Sequence, residues 1–213
     1  MSRLIDNLEA GRPQVVVAYG TSLTAGGSWV QELETTLTER YPGLATVLNR
    51  GGSGQWSEWG VVNLQSLVIS EKPDTVFLEF AINDSVARFN CPVGLAKANL
   101  ETMLERLTTS LPHVEIFLMT MTPGDGYPAA HFSHRQNVAA YYEMVRAVAR
   151  RRGCRLIDHH ANWNILQAQD RQRFSSYVPD TVHPTAVGCA RVVTPAILAA
   201  LGLTASGRRQ VRE

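Results

Sequence analysis

Four short polar segments of the chain carry residue types that could together transfer an acyl group. In chain order they read Gly20-Thr21-Ser22-Leu23, Asn49-Arg50-Gly51-Gly52-Ser53-Gly54, Ala81-Ile82-Asn83-Asp84 and Asp180-Thr181-Val182-His183. A serine hydroxyl becomes a nucleophile when a neighbouring base takes its proton, and His183 could serve Ser22 in this way. Asp180 lies three residues before His183, close enough for its carboxylate to orient the imidazole. The segments therefore predict a catalytic triad of Ser22, His183 and Asp180.

The same segments offer donors for an oxyanion. A tetrahedral intermediate is stabilised by N–H groups aimed at its negative oxygen. The candidates are the backbone N–H groups of Ser22 and Gly54 and the side-chain amide of Asn83. Gly54 suits this role because glycine lets the backbone approach a ligand closely. Asn49 is expected to hold the glycine turn, and Asp84 to be structural or to support a residue of the site.

The elements that must position these segments alternate between strand and helix. Apolar runs predict strands at 15–19, 46–49, 75–80, 114–119 and 155–157. Amphipathic runs predict helices at 29–40, 58–70, 93–110, 132–152 and 185–201, with a Pro/Gly loop at 122–130. This alternation implies right-handed crossovers and a three-layer α/β/α domain with five parallel strands. Ligands of such sheets bind beyond the carboxyl ends of the strands, where the four segments converge.

The constellation resembles the SGNH hydrolases, also called the GDSL esterase/lipase family. The four segments are similar to the first, second, third and fifth blocks of that family, in the right order, and the resemblance runs from residue 15 to about 200. It implies a flavodoxin-like sandwich, Ser22 as nucleophile, Asp180 and His183 as its partners, and Gly54 and Asn83 as oxyanion donors. It also implies hydrolysis of short carboxylic esters, thioesters, lysophospholipids or acetylated sugars.

Two positions depart from the family pattern. Thr21 stands where the family usually has Asp, and Ala81 where the third block usually opens with Gly. Thr21 can still hydrogen-bond within its own loop. Because alanine tolerates positive φ poorly, we expect an ordinary backbone conformation at Ala81. Neither change removes a group with a chemical role.

Composition sets the remaining bounds. The chain has 213 residues, of which 45% are hydrophobic, and it carries 20 Lys and Arg against 19 Asp and Glu. These values predict one globular domain over residues 1–213, with a polar tail from about 205, and exclude an electrostatic footprint for nucleic acid or an anionic membrane. Three further features favour a cytoplasmic protein. The three cysteines are widely spaced, the N-terminus has no secretory pattern, and no apolar run reaches 18 residues.

Two other kinds of site are less well supported. Residues 51–54 could cradle a phosphate, but they match neither GxGxxG nor a glycine loop followed by Lys-Ser/Thr. His131 with His134, and Asp158-His159-His160, could suggest a metal, but no Glu completes a zincin motif. We interpret both groups as polar loop residues, and we expect no metal and no cofactor.

The substrate is expected to be a small ester. Candidate substrate contacts are Thr21, Trp56, Arg88, Tyr177 and Val182, which lie beside the four segments. A compact chain favours short acyl groups, acetyl above all, and acetylated carbohydrate is a plausible substrate. An acyltransferase, a thioesterase or lysophospholipase, and an inactive carbohydrate-binding protein remain alternatives. No nucleic-acid partner and no stable membrane association are expected, and homo-oligomerisation is left open.

Overall fold

Five parallel strands form the central sheet, in the order β2-β1-β3-β4-β5. The computed structural model describes residues 2–203, so the predicted polar tail lies outside the described residues. The strands are β1 (Gln14–Gly20), β2 (Ala45–Asn49), β3 (Thr75–Glu79), β4 (Glu115–Thr120) and β5 (Arg155–Asp158). All five residues of β3 are buried, as expected for a strand covered on both faces. The five-stranded parallel α/β sandwich predicted from the sequence is confirmed.

Helices connect the strands and cover the sheet. They are α1 (Arg3–Glu9), α2 (Ser22–Ala25), α3 (Ser28–Arg40), α4 (Ser57–Leu67), α5 (Val93–Ser110), α6 (Val138–Arg152), α7 (His159–Gln169), α8 (Arg171–Tyr177), α9 (Ala186–Gly188) and α10 (Thr194–Leu201). Short 3₁₀ turns occupy Ile69–Glu71 and Ala87–Phe89. A π-helical turn, Cys189–Val193, joins α9 to α10. Pro195, near the start of α10, cannot donate a backbone hydrogen bond, which interrupts the regular helical pattern. The predicted helix 185–201 is therefore present but not uniform.

Strand order fixes where a ligand can bind. From β1 the chain moves one way to β2 and then the opposite way through β3, β4 and β5. Right-handed crossovers then put α3 on one face and α4, α5 and α6 on the other, and contacts join α4 to α5 and α5 to α6. The reversal lies between β1 and β3, and in an open α/β sheet the ligand crevice lies outside this point.

The predicted set of helices needs two corrections. The helix expected at 132–152 begins only at Val138, because residues 135 and 136 pair with the segment after β3 instead. Val86 and Arg135 form an antiparallel bridge, and the Gln136 N–H donates to the Ser85 carbonyl at 2.9 Å. The sequence pattern does not predict α1, α2, α7 and α8, which are short or begin directly at a strand end.

Within residues 2–203, no helix combines the length and the apolar character needed to cross a bilayer.

Candidate active site

Ser22 and His183 meet at the carboxyl end of β1. Ser22 is the first residue of α2, directly after the strand and its capping residue. Its Oγ lies 3.0 Å from Nε2 of His183, and Nδ1 of His183 lies 2.6 Å from Oδ2 of Asp180. The structure thus places the three residues predicted as a triad in one hydrogen-bonded chain, with a path from the hydroxyl to the carboxylate.

The Asp180 carboxyl is held by several donors. Its Oδ1 accepts the backbone N–H groups of Val182 at 2.9 Å and His183 at 2.7 Å. Burial alone would raise the pKa of Asp180, but the hydrogen bonds from His183 and from these backbone groups outweigh it and lower the pKa. Asp180 is therefore a carboxylate at neutral pH, which suits a group that must hold an imidazole ring and stabilise its charged form.

The loop after β4 fixes the turn that carries Asp180 and His183. Thr181, between them, has a φ of 62°. Its carbonyl accepts the Gly124 N–H at 2.9 Å, and its hydroxyl accepts the Gly126 N–H at 2.7 Å. Thr122 donates its hydroxyl to the Val182 carbonyl at 2.7 Å. The Pro/Gly loop predicted at 122–130 is thus a support for the histidine.

The glycine turn after β2 packs against α2, the short helix that begins at Ser22. Asn49 accepts the Gly51 N–H at 3.0 Å and donates its amide to the Thr24 carbonyl at 2.9 Å, as expected of a residue that holds the turn. A Cβ on Gly51 would lie 2.3 Å from the Ala25 nitrogen, so only glycine allows this approach. Gly54 has a φ of 70°, which favours glycine as well.

Asn83 lies beside this turn with its amide held at both ends. Its Nδ2 donates to the Gln55 carbonyl at 2.8 Å, and its Oδ1 accepts from Arg135 at 3.0 Å. An amide nitrogen has two hydrogens, so one N–H remains for an oxyanion. Asp84 is structural, as expected: it accepts the Ser57 N–H at 2.9 Å at the start of α4.

Ala81 contradicts the expectation of an ordinary backbone. Its φ is 92°, in the region that favours glycine. The turn after β3 needs this conformation whether or not the residue has a Cβ, and such positions cost on the order of 1–3 kcal/mol. The family's usual glycine would adopt the conformation without that cost, so this chain carries strain directly before Asn83.

A buried carboxyl that the sequence pattern does not single out lies beside Thr21, the residue before Ser22. Glu79 ends β3 beside Gly20 and is completely buried. Its Oε2 accepts the Thr21 N–H at 3.0 Å and lies 2.9 and 3.1 Å from the hydroxyls of Thr21 and Thr24. Burial raises the pKa of Glu79 to about 8, although these hydrogen bonds lower it. The sequence contains one indication of this carboxyl: Glu79 is an acidic residue at the end of an otherwise uncharged strand that is buried on both faces.

The expected substrate contacts divide into two groups. Thr21 and Val182 are fully buried, so neither side chain presents surface to a ligand, and a substrate contact does not fit these positions. Trp56 and Arg88 lie together: Trp56 stacks on Phe89 with ring centroids 5.3 Å apart, and the Arg88 guanidinium lies 4.8 Å from the same ring. Both are at least partly exposed and remain candidates.

Tyr177 and an unpredicted tyrosine complete the surroundings. Tyr177 ends α8, and its carbonyl accepts the Thr185 N–H at 2.8 Å, close to the histidine turn. Tyr127 places its hydroxyl 3.5 Å from Oδ2 of Asp180, and its ring stacks on His131 at 4.3 Å. Tyr127 lies in the Pro/Gly loop, where sequence pattern gave no indication of a contact with Asp180.

Among the residues that the structure describes, no group of three or more His, Cys, Asp or Glu side chains is placed to hold a metal ion. The interpretation of Asp158, His159 and His160 as loop residues is wrong. Asp158 ends β5 and caps α7, and the two histidines are buried at the start of that helix. Burial lowers the pKa of His159 to about 4, so it is neutral at pH 7.

Comparison with known proteins gives consistent matches. The model of the GDSL-like lipase/acylhydrolase family matches residues 18–191. An isoamyl acetate-hydrolyzing esterase 1 homolog of Rattus norvegicus is 29% identical over 196 residues, covering 81% of this chain and 76% of the relative. An uncharacterized lipoprotein of Bacillus subtilis is 27% identical over 173 residues, covering 70% of each chain.

Solved structures share the fold. The acetylxylan esterase Axe2 of Geobacillus stearothermophilus superposes with a TM-score of 0.76 at 22% identity, covering 93% of this chain and 98% of Axe2. An alpha/beta hydrolase from the metagenome of Lake Arreo, Spain, gives a TM-score of 0.74 at 23% identity, covering 92% of this chain and 98% of the other.

Proposed function

The chain belongs to the GDSL-like lipase/acylhydrolase family, and we propose that it is a serine esterase that removes short acyl groups, acetyl above all. Membership of this family, together with the esterase relatives, makes it a carboxylic ester hydrolase. The observation that carries the proposed mechanism is the continuous hydrogen-bonded chain from Ser22 through His183 to Asp180, at 3.0 and 2.6 Å.

In this mechanism Nε2 of His183 takes the Ser22 proton as the hydroxyl oxygen attacks the ester carbonyl carbon. The carbonyl oxygen becomes an oxyanion, held by the N–H groups of Ser22 and Gly54 and by the free N–H of Asn83. The imidazolium, held by Asp180, then protonates the leaving alcohol. Water activated by His183 attacks the acyl-serine, and the acid and free Ser22 are released.

The short acyl preference rests on the comparisons and on the surface near the site. The names of these relatives refer to isoamyl acetate and to acetylxylan, two esters that share the acetyl group and differ in the alcohol. In this chain Trp56 and Phe89 stack beside Arg88, close to Asn83 in the sequence. Aromatic faces with a polar neighbour suit sugar rings, which supports acetylated carbohydrate as the alcohol side of the substrate.

Hydrolysis of p-nitrophenyl esters from C2 to C12, followed by acetate release from acetylated xylo-oligosaccharide, tests this proposal. We expect the highest kcat/KM with C2 or C4, and loss of turnover in Ser22→Ala. Ser66→Ala is the matched control, because Ser66 is exposed on α4. Activity that rises steadily to C12 would refute the acyl preference, and a Ser22→Ala variant that turns over normally would refute the mechanism.

A further inference from the structure

We propose that Arg135 is a positioning residue for the oxyanion hole: it fixes the Asn83 amide and places a buried positive charge behind it. This inference rests on the proposed function, since it assigns a partner to the Asn83 donor.

Arg135 joins two loops that are distant in the sequence. It lies between β4 and α6, is only 9% exposed, and pairs with Val86 in the segment after β3. Its Nε donates to the Ile82 carbonyl at 3.2 Å, and one terminal nitrogen donates to Oδ1 of Asn83 at 3.0 Å. The other terminal nitrogen donates to the Ser133 carbonyl at 3.0 Å. A planar guanidinium can make these three bonds at once, whereas an ammonium cannot reproduce the geometry.

These contacts determine which way the Asn83 amide faces. With Oδ1 held by Arg135 and one Nδ2 hydrogen held by the Gln55 carbonyl, the amide plane is fixed from both ends. The second Nδ2 hydrogen is then aimed in one direction. Without Arg135 the oxygen end loses its donor and the plane can turn, which misaligns the remaining N–H.

The charge of Arg135 also has no direct counter-ion among its hydrogen bonds. All three acceptors are neutral oxygens, two carbonyls and one amide. Burial lowers the pKa of Arg135 from its usual value, but arginine remains charged at neutral pH. The carboxylate that acts on this charge, Asp180, is not hydrogen-bonded to it, so the buried charge is only partly compensated in the resting protein. The cost is offset when an oxyanion forms on the far side of the Asn83 amide, so the interaction is strongest in the transition state.

The backbone leaves room for this arrangement. Gly124, in the loop after β4, has a φ of 66°, and a Cβ on it would lie 2.8 Å from Cδ of Arg135. The same glycine donates its N–H to Thr181, in the turn that carries Asp180 and His183. The arginine stem therefore passes directly behind the loop that supports the catalytic histidine.

A double-mutant cycle on kcat with p-nitrophenyl acetate tests the inference, because it separates action through Asn83 from general stabilisation. We expect Arg135→Gln to lower kcat about 10- to 100-fold with KM within about threefold, since the loss is confined to the transition state. In the Asn83→Ala background the same substitution should lower kcat less than about threefold. The kcat of Arg135→Lys should lie between the values of the wild type and Arg135→Gln. If Arg135→Gln does not fold, Arg135→Lys replaces it in the double-mutant cycle.

Arg146→Gln is the matched control. Arg146 is another largely buried arginine, bonded to Asp158 and Glu143, and its effect on kcat should be small and equal in both backgrounds. If Arg135→Gln lowers kcat by the same factor in the wild-type and Asn83→Ala backgrounds, the inference about Arg135 is overturned, while the proposed function is not. Near-normal kcat in Asn83→Ala by itself would instead overturn the oxyanion assignment of the proposed function.

Discussion

Glu79→Gln should make folding stability much less dependent on pH. Glu79 is completely buried, and its carboxyl contacts the backbone N–H of Thr21 and the hydroxyls of Thr21 and Thr24. A glutamine has the same shape, can accept the N–H with its oxygen and can donate to a hydroxyl with its nitrogen. It therefore resembles the protonated carboxyl but cannot ionise.

The size and sign of the effect follow from the pKa of Glu79. Folding raises this pKa from 4.5 to about 8, so between these values the folded chain binds a proton that the unfolded chain has lost. The stability contributed by that proton is fully present below about pH 4.5 and is lost as the pH rises through 8. The pKa difference corresponds to at most about 5 kcal/mol, a large share of the 5–15 kcal/mol typical of a domain.

Urea unfolding of the wild type and Glu79→Gln at about pH 5, 7 and 9 measures this contribution. The two proteins should be similarly stable at about pH 5, and the variant should be several kcal/mol more stable at about pH 9. The difference between the proteins isolates Glu79, because other titrating groups affect both equally.

Asp158→Asn is the control for this series. Burial would raise the pKa of Asp158, but hydrogen bonds from Arg146 and Thr120 outweigh it and lower the pKa to about 2. That carboxylate does not titrate between about pH 5 and 9, so the difference from wild type should vary far less across the range than it does for Glu79→Gln. A difference for Glu79→Gln that varies no more with pH than that of Asp158→Asn would refute the assignment of a buried, protonated carboxyl beside Thr21.

Two further predictions concern the geometry of the site. Gly51→Ala should lower kcat at least about tenfold, because the new Cβ would lie 2.3 Å from the Ala25 nitrogen and push the oxyanion turn away. In Gly54→Ala the new Cβ has no atom within 4 Å, so this variant should mainly lose about 1–2 kcal/mol of stability, because Gly54 has a positive φ. Steady-state kinetics and urea unfolding of both variants measure these two effects. Equal losses of kcat in Gly51→Ala and Gly54→Ala would contradict the prediction. Asp180→Asn should lower kcat by about 10³–10⁴ with an unchanged fold by circular dichroism, because an amide cannot hold the His183 tautomer; a loss below tenfold would contradict the role of Asp180.

The sheet was predictable because its strands are continuous apolar runs bounded by turns. Strand β3 is buried throughout, so its pattern is unambiguous. The start of α6 was not predictable, because residues 132–137 look helical in isolation and are drawn into contacts with the turn after β3. Phe132, an apolar residue in that stretch, is 70% exposed. Tertiary pairing overrides local propensity there.

The triad could be proposed from residue types and order, because Ser22 directly follows β1 and Asp180 and His183 stand three residues apart just before α9. The groups that support the triad could not be predicted in this way. Glu79 and Arg135 lie far apart in the sequence, and their roles depend on which strand and loop lie next to the site. The conformation of Ala81 follows from the path of the chain after β3 rather than from the residue itself. Such supporting contacts become visible only in the fold.

The most direct test of the account is to locate the nucleophile chemically. The chain would be incubated with diethyl p-nitrophenyl phosphate, which phosphorylates activated serines, and analysed by intact mass and peptide mapping. We predict a single diethylphosphoryl group on Ser22, absent in Ser22→Ala and formed far more slowly in His183→Ala. Inactivation with Ser22 unmodified, or no adduct on a folded and active enzyme, would contradict the central claim.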